Sequence, residues 1–476
     1  MIFSTEINGE GASFEFDKPQ RKAEFVKKGD AFFCFTTNKE DCVCHAKVAL
    51  ENGANVVFSN FDLTDPSCVK IDNVRSAFSR ACAKYYGNVC DKMKMIGVTG
   101  TNGKTTTCHL ISQILSKSGK KVGVIGTNGA YFCGKSVYCP LTTPDADFLH
   151  KTFSQMYQNG VEYVIMEVSA HAIVQGRVDG IMYDVGVLTN ITQDHLDYFG
   201  DMENYANAKA QFFTKEHIKK AIFGVDDERV REIMTKTEVP FKTFGMENPA
   251  DTFAIDGLCD INGSRFVANA CDEVFEVKTN LIGDYNIENS LAALAVCCEL
   301  GLSEEELASG LNFVYPAEGR FNVLKVGNKY AVVDFAHTPD GLEKVLQTAR
   351  NLTDKRVIVV FGCGGNRDRD KRPRMGKIAQ DNADVVCLTS DNPRYEEPED
   401  IIADIECGIE KEHFVEVDRK KAIRKMLDFA ESGDIVIIAG KGAEKTQEVD
   451  GILFPYNDFD VVSQYCAEKL KGEKSL

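Results

Sequence analysis

The sequence predicts an α/β protein built on mostly parallel sheets. Three observations carry this reading. Short apolar runs alternate with helical stretches from Met95 onward, a Gly-rich turn joins the first of these runs to an amphipathic segment, and the alternation restarts after Pro316 and Gly319. Strands buried on both faces read as continuous apolar runs, and parallel strands need long crossovers, usually helices, to connect them.

Residues 1–93 contain short β-like runs, Ala31–Phe35 and Asn55–Phe58, and a helical run around Cys44–Asn52. No chemical motif stands out there. At Met95 the run MIGVTG enters the Gly-rich turn and then a long amphipathic stretch, which reads as strand, loop and helix. Val122–Gly126, Tyr163–Val168 and Asp184–Leu188 read as further buried strands. A second α/β unit begins near Glu318. Its strand candidates are Ala331–Phe335, Arg356–Phe361, Asp384–Leu388 and Asp434–Ile438, with helices that include Gly341–Leu352 and Ile401–Glu410. At about 100–200 residues per domain, 476 residues make two to four domains. The expected division is 1–93, 94–317 and 318–476.

Composition narrows the class. The formal net charge of −17 argues against a general nucleic-acid binder, which needs a basic footprint. It does not exclude a nucleotide ligand, because loops and bound cations set the local field. No apolar run of about 18 residues occurs and no signal peptide is visible, so a cytoplasmic protein without membrane insertion is expected. The 17 cysteines are scattered and odd in number, unlike a small disulfide scaffold, and are expected to be thiols in a reducing compartment.

The strongest local signal is the stretch Gly97 to Thr106, GVTGTNGKTT. Within it Gly100, Thr101, Asn102, Gly103, Lys104, Thr105 and Thr106 follow a strand and open a helix, the context a phosphate loop requires. Backbone N–H groups and the helix N-terminus favour phosphate. Lys104 is suited to the terminal phosphates and the Thr105 hydroxyl to magnesium. Val98 stands where the strict pattern has its first glycine. The alternative is a purely structural glycine turn, and the loop alone fits a motor, a kinase, a switch or a ligase.

Further motifs follow in order: TTPD at 142–145, MEVSAH at 166–171, NITQDHLDY at 190–198, YANAK at 205–209, GDYNIENSLAA at 283–293, EGRF at 318–321, DFAHTPD at 334–340, GGNRDRDKRPRMG at 364–376, SDNPR at 390–394 and GKGAEKTQ at 440–447. With the phosphate loop, these resemble the Mur ligase family, and within it the branch that forms the tripeptide precursor. The resemblance runs from about Met95 to Asp450. It implies three α/β domains: one for the substrate nucleotide, a central P-loop ATPase domain on a mostly parallel sheet, and a Rossmann-like domain for the amino acid.

The resemblance also implies roles. ATP would be held by the phosphate loop with Asn286, Asn289, Asp334 and His337. Magnesium would be held by Thr105, Glu167, His195 and Lys209, the last after carbamylation by carbon dioxide. Lys104, Lys209, His195 and Arg320 would be catalytic. Thr142, Thr143, Ser169, Gln175 and Arg177 would hold UDP-N-acetylmuramoyl dipeptide. Arg372, Asp391, Asn392, Pro393, Arg394, Gly440 and Glu444 would hold meso-diaminopimelate.

Physical readings accompany these roles. Glu167 ends a buried strand, where α/β sheets present ligand groups, and a carboxylate suits a hard cation. Arg394 in DNPR would pair with the far carboxylate of diaminopimelate, which lysine lacks. The expected activity is ADP-forming ligation of diaminopimelate through an acyl phosphate, by a protein expected to be a monomer. An L-lysine-adding ligase and a non-ligating nucleotide-dependent protein are the alternatives. The family's usual Asp-Ser-Arg triplet is replaced by Lys22, Ala23 and Glu24, which leaves the recognition of the uridine end open.

Overall fold

The computed structural model describes residues 1–7 and 10–473. Its strands form three main sheets, one after another along the chain. In the first, Pro19–Gln20, Ala31–Phe33, Val56–Ser59 and Cys68–Lys70 lie side by side in chain order, all parallel. An antiparallel hairpin, Ile2–Ile7 with Glu10–Glu15, and the helix Val74–Tyr85 cover it. Phe33 stacks on Phe58 at 4.8 Å between ring centroids, and Phe78 meets Phe33 edge-on at 5.4 Å.

The second sheet has eleven strands. Its parallel middle runs Val122–Gly126, Tyr163–Glu167, Lys94–Thr99, Val185–Leu188, Ala221–Gly224, Phe241–Gly245 and Thr252–Asp260. Antiparallel strands close both edges, Gly129–Phe132 and Lys135–Val137 on one side, Gly263–Ala270 and Glu273–Thr279 on the other. Lys94–Thr99 lies between Tyr163–Glu167 and Val185–Leu188, so the loop that follows it opens at the carboxyl ends of its neighbours. That is where open α/β sheets bind ligands.

The third sheet is ordered Asn322–Val326, Lys329–Asp334, Ile435–Ala439, Val357–Phe361, Val385–Leu388 and Phe414–Val415, parallel except at its first strand. Ile435–Ala439 and Val357–Phe361 are buried along their whole length. Each such Ile or Val contributes about 1.5–3 kcal/mol by leaving water. Helices Pro339–Leu352, Lys371–Asn382, Pro398–Glu406 and Arg419–Phe429 connect these strands.

The α/β class and the parallel sheets match the reading from sequence. One expectation about cysteine is corrected: Cys271 and Cys298 are joined by a disulfide. Cys271 and Asp272 both have positive φ and form the two-residue turn between the last two antiparallel strands. That turn lies against the end of helix Asp284–Glu299, and the Cα atoms are 5.6 Å apart, within bridging range. The other fifteen cysteines are free. Among the described residues, no helix is long and apolar enough to cross a membrane.

Candidate active site

The site is built around the turn that leaves Lys94–Thr99. Gly100 has φ +143° and a Cβ there would lie 1.9 Å from Thr189 Oγ1. Gly103 has φ +87° and its Cβ would meet Asn289 Oδ1 at 2.3 Å. Only glycine fits at either place. The helix Lys104–Lys117 starts immediately afterwards. Lys104 curls back over the loop, and its Nζ donates to the carbonyls of Gly100 (2.9 Å) and Thr101 (2.8 Å). Burial lowers its pKa, against the pull of Glu167 and Asp194.

Thr105 links the second sheet to the loop before the third. Its hydroxyl donates to Glu167 Oε1 (2.9 Å) and accepts from Arg320 Nη2 (2.9 Å). Glu167 also accepts the backbone N–H and the hydroxyl of Thr127. Arg320 arrives from the loop before the third sheet and lies 4.4 Å over the Phe335 ring. Burial lowers its pKa, opposed by Asp334, Glu167 and Glu444. Asp334 accepts the N–H groups of Phe321 (2.7 Å) and Ala336 (2.7 Å), so it shapes that loop. Asn102 donates to Asp340 Oδ2 (2.6 Å), which ties the phosphate loop to the start of helix Pro339–Leu352.

Lys209 is buried, donates to the Gly100 carbonyl (2.9 Å) and sits over the Tyr205 ring. Burial and the neighbouring Lys104 push its pKa well down. Burial pushes the His195 pKa down to about 3, which favours the neutral imidazole. Its Nε2 lies 3.3 Å from Asp194. Burial raises the Asp194 pKa, but His337, 3.7 Å away, and the charge of Lys371, 3.5 Å away, bring it well below the usual value.

These groups line one cavity of about 370 Å³ between the second and third sheets. Of the residues singled out from sequence, Thr101 through Thr106, Thr142, Glu167, Ser169, His195, Lys209, Asn289, Arg320, Asp334, His337, Asp391, Asn392, Arg394, Gly440 and Glu444 all line it. Asn286 sits behind Asn289, donating to the Ile282 carbonyl (2.8 Å) and accepting from Asn289 (3.2 Å). Gly100 lies behind the loop it begins. Thr143 is fully buried and fixes the strand end, donating to the Glu167 carbonyl and accepting from Ser169 N–H. Gln175 and Arg177 lie farther out, toward the first sheet, with Arg177 donating to the Thr143 carbonyl and paired with Asp145.

At the far end, Arg394 has φ +55°. Its Nη1 donates to the Gly365 carbonyl (2.7 Å) and its Nε to Glu448 (3.1 Å). Asn392 and Lys441 both donate to Glu444 Oε2. Pro393 holds the turn between Asn392 and Arg394. Arg372 does not reach the cavity. Its guanidinium is fully buried and bound by Glu396, Asp404 and the Gly364 carbonyl. Arg367, passed over in the sequence, faces the cavity instead. The run GGNRDRDKRPRMG holds five arginines and lysines ahead of its methionine. Which of them points inward depends on the helix starting at Lys371, which turns Arg372 into the core and leaves Arg367 on the loop.

The chain also matches known proteins along nearly its whole length. Residues 98–297 match the Mur ligase middle domain and residues 319–442 the Mur ligase glutamate ligase domain. It is 41% identical over 459 residues to UDP-N-acetylmuramoyl-L-alanyl-D-glutamate--2,6-diaminopimelate ligase of Geobacillus kaustophilus, covering 93% of each chain. The chain belongs to the Mur ligase family. The Clostridium tetani ligase of the same name is 36% identical, with 97% of each chain covered. A solved Mur ligase structure bearing that name superposes with a TM-score of 0.70 at 33% identity, covering 95% of each chain. In this Mur ligase, as the geometry already shows, the second and third sheets supply opposite walls of one cavity.

Proposed function

We propose that this Mur ligase joins meso-2,6-diaminopimelate to the D-glutamate of UDP-N-acetylmuramoyl-L-alanyl-D-glutamate, consuming ATP in the cytoplasm. The observation that carries the reading is the shared cavity. A phosphate loop with Lys104 and Glu167 lies at one end, and the Asp391–Arg394 turn at the other. In this reading residues 1–93 hold the acceptor nucleotide, 94–317 the ATP and 318–476 the incoming amino acid.

The loop N–H groups and Lys104 hold the ATP phosphates. The donor set fits magnesium, which prefers oxygen and keeps few protein ligands. Thr105 and Glu167 offer hard oxygens, and the neutral His195 and a carbamylated Lys209 would complete the set. A lysine must be neutral to take up carbon dioxide, and burial beside Lys104 supports that state for Lys209. The metal would supply charge neutralisation on the phosphates.

The D-glutamate side-chain carboxylate attacks the terminal phosphorus and ADP leaves, which gives an acyl phosphate. Lys104 and Arg320 stabilise the charge on the transferring group. The amine of diaminopimelate then attacks the acyl carbon and loses a proton, and inorganic phosphate leaves as the amide forms. Arg394 and Arg367 would take the far carboxylate, and Glu444, whose Oε1 has no protein partner among the described residues, would take the far ammonium. Closure of the third sheet over the loop excludes water that would hydrolyse the acyl phosphate.

The test is phosphate release with ATP, magnesium and the UDP-linked dipeptide. Release that depends on meso-diaminopimelate supports the proposal. Release with L-lysine instead, or with neither amino acid, rejects it.

A further inference from the structure

The first and second sheets meet at a cluster of guanidinium groups. Arg21 follows the strand Pro19–Gln20 and pairs with Asp145 (3.1 Å) and Asp147 (3.3 Å). Arg177 pairs with the other oxygen of Asp145 (3.3 Å). Arg75 is the third cation. It is half-buried, with its guanidinium 4.6 Å over the ring of Phe35, and it forms no ion pair among the described residues.

The position of Arg75 is fixed by its helix, Val74–Tyr85. The first turn of that helix packs on the second body, where a Cβ on Gly176 would lie 3.1 Å from Ser76 N. One turn on, Ser79 donates to the carbonyls of Arg177 (3.1 Å) and Asp179 (2.6 Å). Arg75 and Ser79 are four residues apart and share a face. Arg75 therefore looks toward Arg177, and its charge is one of those that lower the Arg177 pKa, after burial.

This arrangement is unfavourable as it stands. Three guanidiniums share two carboxylates. Arg75 also lies in the first turn of a helix with no acidic residue there, at the positive end of the helix dipole. Two like charges held together on rigid elements need an anion. The cluster also lies at the carboxyl ends of the strands Pro19–Gln20 and Ala31–Phe33, where such sheets take ligands.

We propose that Arg75, beside Arg177, seats the diphosphate of the nucleotide-linked acceptor. This rests on the acceptor proposed above and deepens it. Arg75 is a binding residue that makes bidentate contact with phosphate oxygens, and Phe35 holds its plane. The incoming diphosphate offsets the surplus charge of the cluster.

Hydrogen bonds to charged groups contribute about 1.5–3 kcal/mol, so losing Arg75 weakens binding about 10- to 100-fold. The experiment titrates UDP and uridine into wild type, Arg75→Ala and Arg75→Lys, with saturating ADP to occupy the phosphate loop. Arg75→Ala should bind UDP 10- to 100-fold more weakly and uridine unchanged. It should raise the KM for the UDP-linked dipeptide by a similar factor, with kcat and the KM for ATP within twofold. Arg75→Lys should recover part of the UDP affinity. Equal UDP affinity in wild type and Arg75→Ala overturns the proposal while leaving the ligase reading intact. Equal losses for UDP and uridine, with a lower Tm, also overturn it, because Arg75 would then only support Phe35. A wild type that binds UDP through Arg75 but ligates no UDP-linked dipeptide keeps the diphosphate seat and rejects the acceptor.

Discussion

Arg320 Nη2 and Thr105 Oγ1 are 2.9 Å apart, and through this contact the third sheet's entry loop reaches the first turn of the phosphate-loop helix. The Thr105 hydroxyl is at the same time bound to Glu167. A charge that develops at this point meets a cation delivered by a different body of the chain.

Arg320→Ala should therefore lower kcat by about 100- to 1000-fold, the range for removing one group aimed at developing charge. The KM for diaminopimelate should change little, since Arg320 lies at the phosphate end of the cavity. Arg320→Lys keeps the charge but loses the planar stack on Phe335, and should recover only part of the rate. Steady-state kinetics on the three proteins decide the matter. A kcat for Arg320→Ala within twofold of wild type would remove Arg320 from the chemistry.

Amino-acid choice should depend on Arg394 and Arg367, not on Arg372. Arg394→Ala should cost about 100-fold in kcat/KM for diaminopimelate and narrow its lead over L-lysine. Arg367→Ala should act in the same direction. Arg372→Ala should leave the ratio of the two amino acids unchanged while lowering Tm, because Arg372 is locked to Glu396 and Asp404. The two-substrate ratio, measured for all three variants, separates specificity from support. A changed ratio in Arg372→Ala would overturn this assignment.

Lys209 should carry a carbamate when the enzyme works. Its ammonium form is disfavoured by burial beside Lys104, so the neutral amine is within reach at ordinary pH. Activity should fall when the protein is depleted of carbon dioxide and return when bicarbonate is added. Labelled bicarbonate should give a carbamate carbon signal in wild type and none in Lys209→Ala. Full activity in bicarbonate-free buffer, without that signal, would rule out the modification.

Much of this site could be read from the chain alone, and the failures have a common cause. Contiguous motifs such as GTNGKTT and DNPR identify themselves because each is a local turn whose side chains share one direction. The strands Val185–Leu188 and Val357–Phe361 were legible because burial on both faces leaves an unbroken apolar run. The antiparallel strands Gly263–Ala270 and Glu273–Thr279 were not, since each alternates and the first also carries polar residues on its outer face. Arg367 and Arg372 could not be ranked, because only the start of the helix at Lys371 decides which of them faces inward. Arg75 gave no signal at all. Its meaning comes from Asp145 and Arg177, 70 and 102 positions further along the chain, which only tertiary packing brings near it.

The Arg372–Glu396 pair also predicts how stability responds to acid. Hydrogen bonds from Arg372 lead the effects that hold the Glu396 carboxyl down at about 2, against an ordinary value of 4.5. The folded state therefore binds this proton less readily than the unfolded chain does. Its contribution is fully present above pH 4.5 and is lost as pH falls through about 2. With allowance for solvent screening, that contribution is about 1–2 kcal/mol. Glu396→Gln should be less stable than wild type by that amount at pH 7, and the difference should shrink steadily as pH falls below 4.5. Urea unfolding of both proteins across this window gives the two curves. Parallel curves would mean that Glu396 is not the group through which acid reaches Arg372, whereas convergence would show that the buried guanidinium depends on this carboxylate's charge.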